Sequence, residues 1–268
     1  MTTKKQKKLG QVFLKDREVV QKIIQAAEIK PKDQILEIGP GKGVLTEFLL
    51  KTGAEIIAVE KDPELVKFLK NIFKEELNFN IIQGDIRDFF ENTEYKILKP
   101  GYKAIGNIPY YLTSRLLRLL LESPTRPESI VLMIQKEVAE RLMAKPPKMN
   151  LLSASVQFYA KPEIICYVPK TAFDPVPKVD SAVIRITPIK TTENMDKIQI
   201  KRFFRIVKAG FEQPRKLLIN NLSKNLQIEK ASLQKTFLQL NIPLKTRAQN
   251  LSIKEWGSLS SLLIKNIV

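Results

Sequence analysis

The sequence predicts an α/β protein: a largely parallel seven-stranded sheet with interleaved helices, followed by a small all-α C-terminal domain. Three observations carry this. Short apolar runs of strand length alternate with stretches of helical period as far as Pro188. A glycine turn, Gly39-Pro40-Gly41-Lys42-Gly43, separates the first such strand from the helix after it. Beyond Pro188 the glycine turns and strand runs stop and only helical patterns remain. The expected division is residues 1–190 and residues 191–268.

Composition narrows the chemistry. The 268 residues are 44% hydrophobic, enough to bury a sizeable core. No apolar run nears the ~20 residues of a membrane span. The N-terminus also lacks the apolar segment of a secretory signal, so cytoplasmic residence is the expectation. There is no histidine and a single cysteine, Cys166. An internal disulfide, a Ser-His-Asp triad and a zinc site are all disfavoured, so no metal is expected. The net charge is +17 and the pI about 9.8, a field that draws polyanions. Residues 190–268 hold fifteen Lys or Arg against five Asp or Glu, which marks that segment as the polyanion-docking candidate.

In chain order, Lys4, Lys5, Lys7 and Lys8 form a basic arm, followed by Leu9-Gly10-Gln11-Val12-Phe13-Leu14. Phe13 and Leu14 lie too near that arm to be left in water without a reason. A helix is expected over residues 16–28, with Val19, Val20, Ile23, Ile24 and Ala27 on one face. Gln34–Ile38 reads as a buried strand running into the glycine turn, and a helix follows over 44–51. Glycines let the backbone approach a ligand closely, and the helix N-terminus offers free N–H donors. The Gly-x-Gly-x-Gly spacing differs from the Gly-x-Gly-x-x-Gly of dinucleotide binders. Glu37, just before the turn, would repel a pyrophosphate and welcome a cationic cofactor.

A second strand over 56–59 ends at Glu60, placed to accept from both hydroxyls of a ribose. Asp62-Pro63 reads as N-cap and first residue of a helix reaching residue 76. The third strand, Phe79–Gln83, ends at Gly84-Asp85-Ile86. There Asp85 can accept from an adenine amino group and Ile86 can pack on the ring. Three successive strand tips carrying glycines, Glu60 and Asp85 point to a nucleoside-cofactor site.

The fourth strand, 103–105, leads into Gly106-Asn107-Ile108-Pro109-Tyr110-Tyr111, at the strand end where open α/β sheets place ligands. Asn107 offers an amide oxygen, and Pro109 holds the Ile108 carbonyl in extended geometry. Tyr110 and Tyr111 offer flat faces. Two convergent acceptors beside an aromatic plate suit a planar ring with an exocyclic amine, such as adenine. Thr113–Glu122 reads as a helix and Ser129–Gln135 as the fifth strand. Helices over 136–144 and 151–159 and strands over 163–168 and 181–186 complete this part. Between the last two strands lies a proline-stiffened loop, Phe173-Asp174-Pro175-Val176-Pro177-Lys178, whose Phe173 is a candidate wall facing the target base. Tail helices are expected over 196–209, 215–225, 232–240 and 252–265, the last opened by the capping box Ser252-x-x-Glu255. Arg202, Arg205, Lys208, Arg215, Lys216 and Lys224 are the phosphate-contact candidates in the tail, and Trp256 reads as core.

The run Glu37-Ile38-Gly39-Pro40-Gly41-Lys42-Gly43-Val44-Leu45-Thr46, followed by Asn107-Ile108-Pro109-Tyr110, resembles the rRNA adenine N6-dimethyltransferase family. Gln135-Lys136-Glu137-Val138-Ala139-Glu140-Arg141, the Phe173-x-Pro-x-Pro-Lys178-Val179-Asp180-Ser181 run, Arg215-Lys216 with Asn221-Leu222, and Arg247-Ala248-Gln249 extend the match over nearly the whole chain. The resemblance implies a Rossmann-like class I methyltransferase domain with S-adenosyl-L-methionine as cofactor. It implies methyl transfer to two adjacent adenosines near the 3′ end of small-subunit (16S) rRNA, in a pre-30S particle; the sequence itself is silent on oligomeric state, and a monomer is the default expectation. By position, the family's cofactor contacts fall on Val12, Leu14, Gly39, Glu60, Asp85 and Asn107; Glu37, Gly41, Lys61 and Ile86 join that candidate set. Asn107, Ile108, Pro109, Tyr110 and Phe173 are the catalytic candidates. The family usually has Asn or His where this chain has Val12, so a side-chain hydrogen bond is impossible there. The segment Lys148-Met149-Asn150 also departs from the family's glycine-containing sequence.

Four alternatives stand beside this reading. One is a large-subunit (23S) rRNA methylase of the macrolide-resistance type, and another a non-catalytic RNA-binding assembly factor. An NAD-type oxidoreductase is disfavoured by the glycine spacing and Glu37. DNA or protein amine methylases typically carry Pro in place of Ile108.

Overall fold

A computed structural model describes residues 12–92, 94–108, 112–189 and 195–263. The chain falls into two compact units, the first running to Ala139 and resuming at Lys161–Pro188, the second comprising Glu140–Ala160 and the chain from Ile189 onward.

In the first unit the chain runs β1 (Phe13–Leu14), α1 (Arg17–Ala27), β2 (Gln34–Ile38), α2 (Val44–Leu50), β3 (Glu55–Glu60), α3 (Pro63–Ile72), β4 (Phe79–Gln83) and α4 (Ile86–Glu91). It continues through β5 (Lys103–Asn107), α5 (Thr113–Glu122), β6 (Ser129–Gln135) and α6 (Lys136–Leu142), within which the first unit breaks off. After α7 (Leu151–Tyr159) come β7 (Ala160–Val168), β8 (Phe173–Asp174) and β9 (Ser181–Pro188). Seven strands form one sheet in the order β4-β3-β2-β5-β6-β9-β7. From β4 to β6 every pairing is parallel, while β9 runs antiparallel to β6 with Gln135 opposite Ser181. All five positions of β2 are buried, as a strand covered on both faces requires. The connections leaving β2 and β5 diverge to opposite sides of the order, so a crevice opens beyond the carboxyl ends of these two strands.

Local chemistry sets the helix starts. Asp16 caps α1 by accepting from the N–H groups of Glu18 and Val19 at 2.9 and 3.3 Å. The helix then buries Val19, Val20, Ile23, Ala26 and Ala27; Ile24, expected on that face, is only half-buried. Asp62 caps α3 with Pro63 at its first position, but the helix ends at Ile72 rather than near residue 76. Two features have no counterpart in the sequence patterns. One is the antiparallel pair β1–β8, with Leu14 opposite Phe173. The other is α4, capped by Asp85.

Lys103 opens β5 yet is only 3% exposed. Its Nζ donates to the Glu28 carbonyl at 2.6 Å and pairs with Asp33 at 2.9 Å, tying the end of α1 to the sheet. Lys103→Met is expected to destabilise the protein by about 2 kcal/mol, read from urea unfolding, because both partners lose a buried cation.

The second unit contains α7, α8 (Lys197–Phe211), α9 (Leu218–Leu226), α10 (Lys230–Gln239) and α11 (Ile253–Leu263). Its extent corrects the expected boundary near residue 190, which left 140–160 with the sheet. The reason is aromatic packing: Phe158 of α7 stacks on Phe203 of α8 with ring centroids 4.1 Å apart. Met149 N–H also donates to the Gln249 carbonyl at 3.1 Å. Ser252 and Glu255 form the expected reciprocal cap, and Trp256 is fully buried. Among the described residues no helix is long and apolar enough to cross a membrane, and no group of three or more His, Cys, Asp or Glu is placed to hold a metal ion.

Candidate active site

The glycine turn sits where β2 ends. Gly39, Gly41 and Gly43 all adopt left-handed φ, at +66°, +61° and +81°, which disfavours other residues. Glu60, at the tip of β3, holds this turn: one carboxylate oxygen accepts from the Gly41 N–H at 3.1 Å and the other from the Asp62 N–H at 2.9 Å. Burial pushes the Glu60 carboxyl above its ordinary value, against the opposing pull of these backbone donors.

One cavity spans the ends of β2, β3, β4 and β5, and all ten candidate cofactor residues line it: Val12, Leu14, Glu37, Gly39, Gly41, Glu60, Lys61, Asp85, Ile86 and Asn107. Ile108 and Phe173 line it too. The sequence had left Phe13, Lys42 and Leu112 out of the site. Phe13 lies over the turn, with Lys42 Nζ 4.7 Å from its ring centroid. Its apolar character beside a basic arm was the available signal.

Glu37 behaves differently from the standing negative charge the sequence suggested. It is 1% exposed; one oxygen accepts from the Thr46 hydroxyl at 2.8 Å and the other, Oε1, has no partner. Burial pushes its carboxyl up to about 8, and nearby Glu60 adds to the effect. The group is therefore mostly neutral at pH 7 until a cation reaches it. Loss of that proton leaves a buried carboxylate oxygen without a partner in the cavity wall, which a cationic nucleoside such as S-adenosyl-L-methionine would satisfy.

Asp85 is already engaged. Arg87 donates through Nε and Nη2 at 2.9 and 2.6 Å, Lys61 through Nζ at 3.1 Å, and the Arg87 N–H at 3.0 Å. The Arg87 bonds above all hold its carboxyl well below the usual carboxylate range. To accept from an adenine amine, Asp85 has to share an oxygen with these donors, and exposed Lys61 is the partner most easily displaced.

The reactive loop leaves β5 at Asn107. Gly106 is required by close approach: a Cβ there would lie 2.6 Å from the Ile38 carbonyl oxygen. Gly106→Ala is expected to cost about 1–3 kcal/mol in unfolding free energy and to lower the rate of catalysis by displacing Asn107. The Asn107 side-chain N–H donates to the Val12 carbonyl at 3.2 Å, and Ile108 is buried. Pro109 and Tyr110 lie outside the described residues. Phe173 is 1% exposed and packs in the core cluster with Leu14 and Val183, so it forms an enclosed wall of the cavity. Its pairing with Leu14 across β1–β8 draws it inward.

Lys4, Lys5, Lys7 and Lys8 lie outside the described residues. In the tail Arg205, Lys208, Arg215, Lys216 and Lys224 are exposed and Arg202 is half-exposed. Helical spacing places Lys201, Arg205 and Lys208 on one face of α8. Lys201 was missed among the candidates, although the same spacing was available in the sequence.

Comparison with known proteins identifies the family. The family model described as Ribosomal RNA adenine dimethylase matches residues 2–265. A relative from Dehalococcoides mccartyi, named Ribosomal RNA small subunit methyltransferase A, is 42% identical over 260 residues, covering 96% of this chain and 88% of the relative. The protein of the same name from Acaryochloris marina is 41% identical over 261 residues, covering 95% of each chain. Among solved structures, a dimethyladenosine transferase from Plasmodium falciparum matches with a TM-score of 0.80 and 25% identity over 94% of this chain and 98% of that one. The 23S rRNA methyltransferase ErmE shares the fold, with a TM-score of 0.73 and 24% identity over 94% and 99% of the two chains. A full-length family match, two relatives above 40% identity and a glycine-turn cavity that includes Asn107 agree: the chain belongs to the ribosomal RNA adenine dimethylase family.

Proposed function

We propose that this protein transfers methyl groups from S-adenosyl-L-methionine to N6 of two adjacent adenosines near the 3′ end of small-subunit rRNA, giving N6,N6-dimethyladenosine during ribosome biogenesis in the cytoplasm. One observation carries the reading: the glycine turn, Glu37 and Glu60 share a single cavity with Asn107 and Ile108. The cofactor, when bound, supplies an electrophilic methyl group on a sulfonium. The work left to the protein is positioning. Glu37 Oε1 receives positive charge, and Glu60 holds the turn while offering its remaining acceptor capacity to a ribose. Asn107 Oδ1 and the Ile108 carbonyl accept from the target amine, aiming its nitrogen and stabilising the positive charge that develops there.

The target base has to leave its stack, at a cost of a few kcal/mol. Tyr110, by its place in the loop, is the stacking partner and returns roughly 1–3 kcal/mol. Small-subunit specificity is supported by the names of the 40–42% identical relatives. The test is methyl transfer to purified unmethylated small subunits against naked large-subunit rRNA, with the products mapped. Two dimethylated adenosines on the small subunit are expected; transfer to large-subunit RNA alone overturns the reading. The exposed cations on and after α8 serve phosphate contact. Replacing Arg205 or Lys208 with Ala should reduce the log–log salt slope of RNA binding by about 0.7–0.9 each, measured by filter binding across salt.

A further inference from the structure

The amide of Asn107 is not free to choose which end meets the target base. Its Nδ2 donates to the main-chain carbonyl of Val12 at 3.2 Å. A carbonyl oxygen only accepts, so the flipped amide would set two acceptors against each other. The end left for an incoming amine is Oδ1. Val12 is itself held in place. Phe13 and Leu14, the next two residues, pair with Asp174 and Phe173, and Lys15 N–H donates to the Ala172 carbonyl at 2.9 Å. The Phe13 ring sits 3.2 Å from where a Cβ on Gly41 would be, closing the segment down on the glycine turn.

We infer that the Val12 main-chain carbonyl is a positioning group for methyl transfer: it fixes the Asn107 amide so that Oδ1 faces the target amine. The inference rests on the proposed role of Asn107 as amine acceptor. The contact that matters here is made by the backbone, which any residue supplies.

The test is Asn107→Asp, with single-turnover rates taken relative to wild type from about pH 5.5 to about pH 8.5, on either side of a partly buried carboxyl's range. Ionised, the new carboxylate sets an acceptor against the Val12 carbonyl. Protonated, its O–H donates to that carbonyl and leaves a C=O for the amine, as the amide does. The relative rate is expected to be depressed about tenfold or more at the alkaline end and to recover as pH falls. A ratio that is flat, or that falls on acidification, overturns the inference, since a carboxyl group keeps an oxygen able to accept in both protonation states.

A second variant leaves every side chain intact. An ester in place of the Val12–Phe13 amide, introduced by joining a synthetic N-terminal peptide to the rest of the chain, weakens the Val12 carbonyl as an acceptor and removes the Phe13 N–H from the β1–β8 pair. The rate is expected to drop about two- to tenfold with cofactor Kd unchanged, whereas the same ester placed in the Asn107→Ala protein is expected to cost no further rate. Equal rates in the ester and wild type, or a loss of the same size in Asn107→Ala, overturn the inference. Wild type against Asn107→Ala in the same assay tests the acceptor role itself, so failure of that reading and failure of this one give different results.

Discussion

Asn107→Ala is expected to lower the single-turnover methyl-transfer rate by roughly a hundredfold while RNA affinity stays within about twofold, the pattern of a group that acts mainly on the developing charge. The side chain lines the cofactor cavity, and its one described hydrogen bond is to the Val12 carbonyl. Truncation removes an acceptor at the reacting nitrogen and leaves the Ile108 carbonyl as the other. The cations proposed to draw RNA lie elsewhere in the sequence, with Arg205, Lys208, Arg215 and Lys216 all exposed. Stability should fall by about 1 kcal/mol from the lost hydrogen bond. An unchanged rate, or a loss confined to RNA affinity, would sink the assignment.

Glu37→Gln is expected to change how the protein responds to pH. In the unfolded chain Glu37 ionises at an ordinary carboxyl value, while in the fold it is pushed up to about 8 by burial. Between those two values the folded state holds a proton that the unfolded state has lost. Its contribution to stability is fully present below the unfolded value and disappears as pH rises through about 8. The slope amounts to a few kcal/mol over that window, and Glu37→Gln should flatten it, read from urea midpoints at several pH values. Cofactor affinity should move the opposite way. For the native protein it rises with pH as Glu37 ionises, and binding near neutral pH releases a proton detectable by calorimetry in buffers of different ionisation enthalpy. The Gln variant should bind more weakly at alkaline pH, with a flat profile and no proton release. A native protein whose cofactor affinity does not change between about pH 6 and 8 contradicts this account.

Much of the fold was legible because its strands are short apolar runs, those at the centre of the sheet buried on both faces. Runs such as Gln34–Ile38, Phe79–Gln83 and Ser129–Gln135 match the observed strands residue for residue. Their tips named the cavity wall, since glycines and acids at successive strand ends have few other reasons to coincide. Hydrogen-bond detail was not legible. Nothing in the run Gly84-Asp85-Ile86 says that Asp85 caps a helix and is gripped by Arg87 and Lys61. A two-residue strand such as Phe13–Leu14 carries no periodicity at all. Nor does composition place 140–160 with the tail, because the Phe158–Phe203 stack joins positions far apart in sequence.

The β1–β8 ladder has a consequence for synthesis. Phe13 meets Asp174, and Leu14 meets Phe173, across most of the first unit's sequence. Contacts of such separation are paid for in loop entropy before they return anything, so this wall of the cavity closes late. A nascent chain that has not yet emerged past Asp174 already carries the glycine turn, Glu60 and Asn107, but not the strand that seats Val12 and Leu14 beside them. Cofactor that binds only the closed wall stabilises the finished fold by mass action. Completion of the cavity thus waits until β8 has been translated.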